Sequence, residues 1–160
     1  MTIKVGDRIP SATLMQMKDG GPKPVKTDEL FAGKKVVVFA LPGAFTPTCS
    51  AKHLPGFIQN ADAIRQKGVD AIACVSVNDA FVMGAWGEQQ HAGDKVMMLA
   101  DGNGDFTRAL GLEFDASRFG MGSRSQRFSL VVNDGVVNAL NVEEPGAFSV
   151  SSAEHVLNQL

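Results

Sequence analysis

Apolar positions along the chain fall into two kinds of run. Val36-Val37-Val38-Phe39-Ala40-Leu41 and Ala71-Ile72-Ala73-Cys74-Val75-Ser76-Val77 are nearly continuous, and Val96 to Ala100 is a shorter example. Unbroken, β-branched stretches of this kind predict strands buried on both faces, as in a parallel sheet. From Ser50 to Lys67 the apolar residues Leu54, Phe57, Ile58, Ala61 and Ile64 instead recur at helical spacing, up to Gly68, with Pro55 expected to kink the helix. Asn78 or Asp79 can cap a helix running to about Gln90. Asp105 to Leu110 reads as a short helix closed by Gly111, and Ser151-Ser152-Ala153-Glu154 as a capping box for a last one. Two turn signals remain. Lys18-Asp19-Gly20-Gly21 follows the weakly alternating Ala12 to Met17, and Asn133-Asp134-Gly135 lies between Phe128–Val132 and Val136–Val142; both predict hairpins. Thr27 to Phe31, with Gly33 behind it, suits one helical turn.

The resulting order is hairpin, strand, helix, strand, helix, strand, helix, hairpin, helix. Strand-helix-strand units imply right-handed crossovers and helices on both faces of a sheet, and the last hairpin adds antiparallel strands. This is an α/β chain with a mixed central sheet flanked by helices and an N-terminal hairpin extension, the order of a thioredoxin-like fold. No linker, repeat or low-complexity segment interrupts it, so residues 1–160 are expected to form a single domain.

Composition narrows the function. A net charge of -2 with interspersed signs leaves no basic face for nucleic acid or an anionic membrane. The first ten residues lack a signal-peptide pattern and the apolar runs are too short to span a bilayer, which leads to the expectation of a soluble, cytoplasmic protein. Two cysteines, Cys49 and Cys74, form neither a disulfide framework nor a CxxC pair. With His53, His91 and His155 they give no zinc spacing. Asp101-Gly102-Asn103-Gly104-Asp105 lacks the closing glutamate of a calcium loop and reads as a turn and helix cap.

Cys49 carries the candidate chemistry. It follows the strand ending at Leu41 through the loop Pro42-Gly43-Ala44-Phe45-Thr46-Pro47-Thr48, and a helix is expected to start near Ser50 with Thr48 as its cap. Open α/β sheets place sites at the carboxyl ends of strands, beside helix N-termini. Unpaired N–H groups there favour a thiolate over a thiol. On these features alone the cysteine could equally be an inert packed thiol.

The string Pro42-x-x-x-Thr46-x-x-Cys49 resembles the peroxiredoxin active-site signature, and Pro42 to Ser50 in full is similar to the type II, or peroxiredoxin-5, branch. The similarity continues through His53-Leu54-Pro55-Gly56-Phe57, Ser76 to Val82, Leu99-Ala100-Asp101-Gly102 and Ser125 to Ser129, nearly the whole chain. The resemblance implies a thiol peroxidase acting on hydrogen peroxide and alkyl hydroperoxides, in antioxidant defence, with no metal or organic cofactor. Cys49 would be the peroxidatic cysteine that becomes a sulfenic acid, Pro42 its shield and Thr46 a hydrogen-bond partner of the peroxide. Gly43 and Phe45 would line the substrate pocket. An arginine from the segment before the last hairpin would complete the site, and Arg124 is taken as its best match. The competing reading is a thioredoxin-fold chaperone or redox-sensing module without catalysis.

The sulfenic acid has to be reduced by a second thiol. Cys74 lies in a strand expected to be buried and is read as an inert core thiol. The region where some relatives carry a resolving cysteine, Gly146 to Ser152, has serines. The resemblance therefore implies a one-cysteine cycle recycled by an external thiol, glutathione with glutaredoxin or thioredoxin. It also implies a non-covalent homodimer with Phe45 and Trp86 near the contact, and Phe119 is a further candidate for that surface. His53, one turn after Cys49, is read as a packing or rim residue.

Overall fold

The computed structural model describes residues 2–160. The chain opens with the expected hairpin, β1 (Thr13–Lys18) and β2 (Gly21–Lys26), followed by α1 (Thr27–Phe31), β3 (Lys35–Ala40), α2 (Leu54–Gln59) and α3 (Ala61–Gln66). Then come β4 (Ala71–Ser76), α4 (Ala80–Gln89), β5 (Met97–Ala100), α5 (Asp105–Leu110) and β6 (Glu113–Asp115). The last elements are β7 (Ser123–Ser125), β8 (Phe128–Asn133), β9 (Val136–Val142) and α6 (Ala153–Gln159). Seven strands form one mixed sheet in the order β2-β1-β5-β4-β3-β8-β9, with β3, β4 and β5 parallel. The expected thioredoxin-like architecture, an α/β sheet flanked by helices, is the one present.

Strand β3 shows why its sequence has no polar alternation. Val37 and Phe39 face a core shared with Leu54, Phe57, Ile64 and Trp86. Val36, Val38 and Ala40 face a second core with Phe31, Phe106 and Leu110. Both faces are dry, so both sets of positions are apolar. In the β8–β9 turn Asp134 and Gly135 have φ of 47° and 79°, the pair of left-handed residues that a tight hairpin matching strand twist demands.

The helix after the site differs from its expected form. Helical backbone begins at Pro47, not near Ser50, and Thr48 is inside it, in αR geometry and making no side-chain cap. The Thr46 carbonyl accepts the first helical bond, from Ser50 N–H at 2.9 Å. Cys49–His53 is a π-turn, in which Leu54 N–H donates to the Cys49 carbonyl. The wider turn comes immediately before Pro55, whose ring would crowd the carbonyl four residues back in a regular α-helix. Pro55 is thereby absorbed at the start of α2, and the break between α2 and α3 falls at Asn60 instead (φ -99°, ψ 6°).

Two short strands, β6 and β7, form a separate two-stranded sheet that hydrophobic periodicity does not announce. No helix among the described residues is long and apolar enough to cross a membrane.

Candidate active site

The site forms at the carboxyl end of β3. Antiparallel pairing of Ala40 with Phe128 brings the start of β8 to that same end. The loop leaving β3 is pinned by Asn78: its side-chain oxygen accepts from Ala44 N–H at 3.0 Å and from the Ser76 hydroxyl at 2.6 Å. Phe45 takes a left-handed conformation (φ 65°), which is costly for a bulky residue and persists only where the surroundings hold it. Space around Gly43 is tight, so a side chain there would have to push its neighbours aside by a few tenths of an ångström. A Cβ there would lie 3.1 Å from Arg124 Nη1 and 3.2 Å from Thr46 Cγ2.

Cys49 lies in the first helical turn and is fully buried. Arg127 Nη2 donates to its Sγ at 3.2 Å. Among the described residues no carboxylate forms an ion pair with Arg127, so its charge is available to the sulfur. A cation at that distance stabilises negative charge that develops beside the sulfur during reaction. Arg124, the arginine expected in this place, is elsewhere. Its Nε donates to the Met121 carbonyl at 2.9 Å and its Nη1 to the Pro42 carbonyl at 3.4 Å. It braces the loop over the sulfur, while Arg127 reaches the sulfur itself. The physical reason is the register: Arg127 immediately precedes β8, the neighbour of β3, whereas Arg124 sits on β7 in the small outer sheet.

Thr46 donates its hydroxyl proton to the Gly43 carbonyl at 2.7 Å. Toward an arriving molecule it therefore offers lone pairs and can accept from an O–H. Gly43 lies against Thr46 and Arg124, and Pro42 offers its carbonyl to Arg124, while Phe45 is 49% exposed with its ring 6.3 Å from that of Trp86. Trp86 itself is fully buried and donates to the Ser50 hydroxyl at 3.1 Å. It ties α4 to the cysteine-bearing helix and is not available for a subunit contact. Phe119, by contrast, is 62% exposed.

Residues 4–157 match the redoxin family. Peroxiredoxin-2E-2, chloroplastic, of Oryza sativa subsp. japonica is 58% identical over 164 residues, spanning 99% of this chain and 73% of the relative. The chain belongs to the peroxiredoxins. Peroxiredoxin-2E, chloroplastic, of Arabidopsis thaliana is 52% identical over 163 residues, 99% of this chain and 70% of that one. A Vibrio vulnificus Prx3, solved reduced and in complex with hydrogen peroxide, superposes with a TM-score of 0.95 at 56% identity, covering 99% of both chains. The type II branch fits these relatives, and the protein is a thiol peroxidase of redox defence that works through a peroxidatic cysteine. Peroxiredoxins take peroxides as substrates and thiols as reductants, which removes the non-catalytic alternative. The cytoplasmic placement expected from the sequence is overturned: the rice and Arabidopsis relatives are chloroplastic by name, and composition carries no signal for that compartment.

Sequence reasoning placed His53 in packing or at the rim, and missed what else it does in this peroxiredoxin. It is fully buried, its Nδ1 accepts from Arg127 Nη1 at 2.8 Å and its Nε2 lies 3.0 Å from the Ser151 carbonyl. Since guanidinium only donates and a carbonyl only accepts, the ring is the neutral Nε2–H tautomer. Burial, followed by the Arg127 charge, lowers its pKa from 6.5 to about 3. Charging it would remove the acceptor that Arg127 uses. The spacing of four from Cys49 put the two on one helix face, the signal that could have found it.

The depressed His53 value has a consequence for stability. Between the two pKa values the unfolded chain holds a proton that the folded protein does not, so stability is complete above the unfolded value of 6.5 and is lost as pH falls toward about 3. The expected slope from this residue is about 1.4 kcal/mol per pH unit in that window. Urea unfolding between about pH 4 and pH 7 should show it in the wild type and a shallower slope in His53→Gln; equal slopes would contradict the assignment.

Cys74 is fully buried on β4. Burial first, then the neighbouring Cys49, pushes its thiol well above the usual range. A thiol kept protonated is a poor nucleophile.

Proposed function

We propose that Cys49 is the peroxidatic nucleophile, Arg127 its electrostatic partner, and Thr46 and Pro42 the positioning and shielding groups of a one-cysteine peroxidase. Residues 1–160 act as one domain in this reading, supported by the family match over 4–157. Hydrogen peroxide and alkyl hydroperoxides are its substrates; the Vibrio relative solved with hydrogen peroxide supports the first. The observation that carries the reading is the 3.2 Å contact between Arg127 Nη2 and Cys49 Sγ.

The Cys49 thiolate attacks the nearer peroxide oxygen in line with the O–O bond. An S–O bond forms, the O–O bond breaks, and the departing oxygen leaves with the electron pair and takes a proton to become water or an alcohol. Sulfur is oxidised to the sulfenic acid while the peroxide is reduced. Thr46, its own proton engaged by Gly43, accepts from the peroxide O–H and helps align the two oxygens. Arg127 stabilises charge as the bond breaks.

The reductant is an external thiol, and glutathione with glutaredoxin is the pair we favour over thioredoxin. Cys74, buried and protonated, supports the absence of an internal partner. Cys49 is itself buried, so the π-turn that carries it has to open before a docked thiol reaches the oxidised sulfur. Steady-state peroxide consumption should be faster with glutathione and glutaredoxin than with thioredoxin at equal reductant flux; the reverse order would contradict the choice. A non-covalent homodimer beside the site is supported by the exposed Phe45 and Phe119 rings. Sedimentation of the reduced protein should give a dimer that Phe45→Ser weakens, and a monomer at every concentration would exclude it.

A further inference from the structure

A line of contacts leads from the sulfur to a carboxylate that no step of the reaction touches. Arg127 donates one guanidinium nitrogen to Cys49 and the other to His53 Nδ1, and His53 Nε2–H donates to the Ser151 carbonyl. Ser151 ends a segment whose backbone converges on Glu143. One carboxylate oxygen, Oε2, accepts from the N–H groups of Ser149 at 2.8 Å, Val150 at 2.9 Å and Ser151 at 2.8 Å, and from the Ser151 hydroxyl at 2.7 Å. Glu143 is only 6% exposed. Burial pushes its carboxyl pKa up, but the Ser151 hydroxyl and the three amides together hold it below the usual range, so the group is an anion with its donors supplied locally. Its own N–H donates to the Arg127 carbonyl at 2.9 Å. Phe148, in the same segment, packs its ring edge-on to His53 with centroids 5.0 Å apart and lies 5.9 Å from the Arg127 guanidinium carbon.

We propose that Glu143 is a positioning residue for peroxide reduction: by fixing the 149–151 backbone it aims the Ser151 carbonyl at His53, and the ring so held keeps Arg127 on the Cys49 sulfur. The tautomer is what transmits the constraint. With the carbonyl in place the proton stays on Nε2 and the Nδ1 lone pair faces Arg127. With the carbonyl displaced, the proton can sit on Nδ1, where N–H meets guanidinium N–H and the contact is lost. The line depends on the reading of Arg127 given above, and the test separates the two.

The rate constant for oxidation of Cys49 by hydrogen peroxide, followed by stopped flow, should fall about tenfold in Glu143→Ala. Glu143→Gln, which keeps an acceptor oxygen in the same place, should restore most of the rate. In an Arg127→Gln background Glu143→Ala should change the rate less than about twofold, because the group it positions is gone. Long-range proton–nitrogen NMR should show His53 as a single Nε2–H tautomer in the wild type and a mixture in Glu143→Ala. Should Glu143→Ala fail to fold, Ser151→Ala, which deletes one donor, is measured instead and should slow oxidation by about two- to threefold. A full-rate Glu143→Ala with an unchanged His53 spectrum, or an equal loss in both arginine backgrounds, would overturn the proposal and leave Glu143 a clamp for the loop alone. If Arg127→Gln by itself leaves the rate untouched, it is the reading of Arg127 that fails.

Discussion

Replacing Arg127 by glutamine is expected to slow the reaction of Cys49 with hydrogen peroxide by about 10²- to 10³-fold, the usual cost of deleting a preorganised group that stabilises developing charge. The guanidinium is 3.2 Å from the sulfur and has no carboxylate to share its charge with among the described residues, so nothing else in the site supplies the same field. Arg124→Gln should cost less than about tenfold, since that side chain reaches only the Met121 and Pro42 carbonyls and acts on the shape of the loop. Arg127→Lys should recover part of the loss, because a point charge replaces the field without reproducing the fork that holds both Cys49 and His53. Single-turnover stopped flow on the reduced proteins measures all three. A larger effect at Arg124 than at Arg127 would invert the assignment.

The second large effect divides the two thiols. Cys49→Ser should abolish turnover, a loss on the order of 10³-fold or more, because a hydroxyl at this position has no base to ionise it and the covalent step disappears. Cys74→Ser should leave oxidation within about twofold, with its cost appearing in stability: a hydroxyl would replace a sulfur in a fully buried cluster beside Leu54 and Phe57. Mass spectrometry after one equivalent of peroxide should find the sulfenic acid, or its adduct with an added thiol, on Cys49. A quantitative intramolecular Cys49–Cys74 disulfide would contradict the one-cysteine cycle.

The parts of this peroxiredoxin legible in its sequence are those where one physical requirement dominates. Val36 to Leu41 reads as a strand because both faces of β3 are dry. Asp134-Gly135 reads as a hairpin because the turn needs two left-handed residues. The last helix is capped, but one residue later than the Ser151–Glu154 box predicts: the Ser152 hydroxyl accepts from His155 N–H at 3.2 Å, while the Ser151 hydroxyl donates to Glu143. Asp101 likewise accepts from Phe106 and Thr107 N–H, the helix cap expected of that acidic turn. What was illegible depends on competition between remote elements. Three-residue strands such as Glu113–Asp115 and Ser123–Ser125 are too short and too polar to show a period. The start of the cysteine helix shifted because Pro47 is itself a good first helical residue, and the π-turn answers to Pro55 six residues after the cysteine.

The choice between two arginines three positions apart is the clearest case. Both lie in the right segment, and composition treats them alike. Only the antiparallel register of β3 with β8, Ala40 opposite Phe128, puts the residue before Phe128 at the end of the sheet where the cysteine loop leaves. A mixed sheet with a final antiparallel hairpin is compatible with several registers, so the sequence pattern alone does not choose between the two arginines. Glu143 was invisible for a related reason. Its partners are backbone amides of Ser149, Val150 and Ser151, which no side-chain pattern records.

The central claim is that the place of Cys49 in the first helical turn and the Arg127 contact together make it a peroxide-specific nucleophile. Stopped-flow mixing of the reduced wild-type protein with hydrogen peroxide at neutral pH tests this most directly. Loss of the Cys49 thiolate should be at least about 10³-fold faster than for free cysteine compared at the same thiolate concentration, the excess reflecting alignment and charge stabilisation beyond ionisation. A rate constant equal to that of free cysteine thiolate would contradict the account.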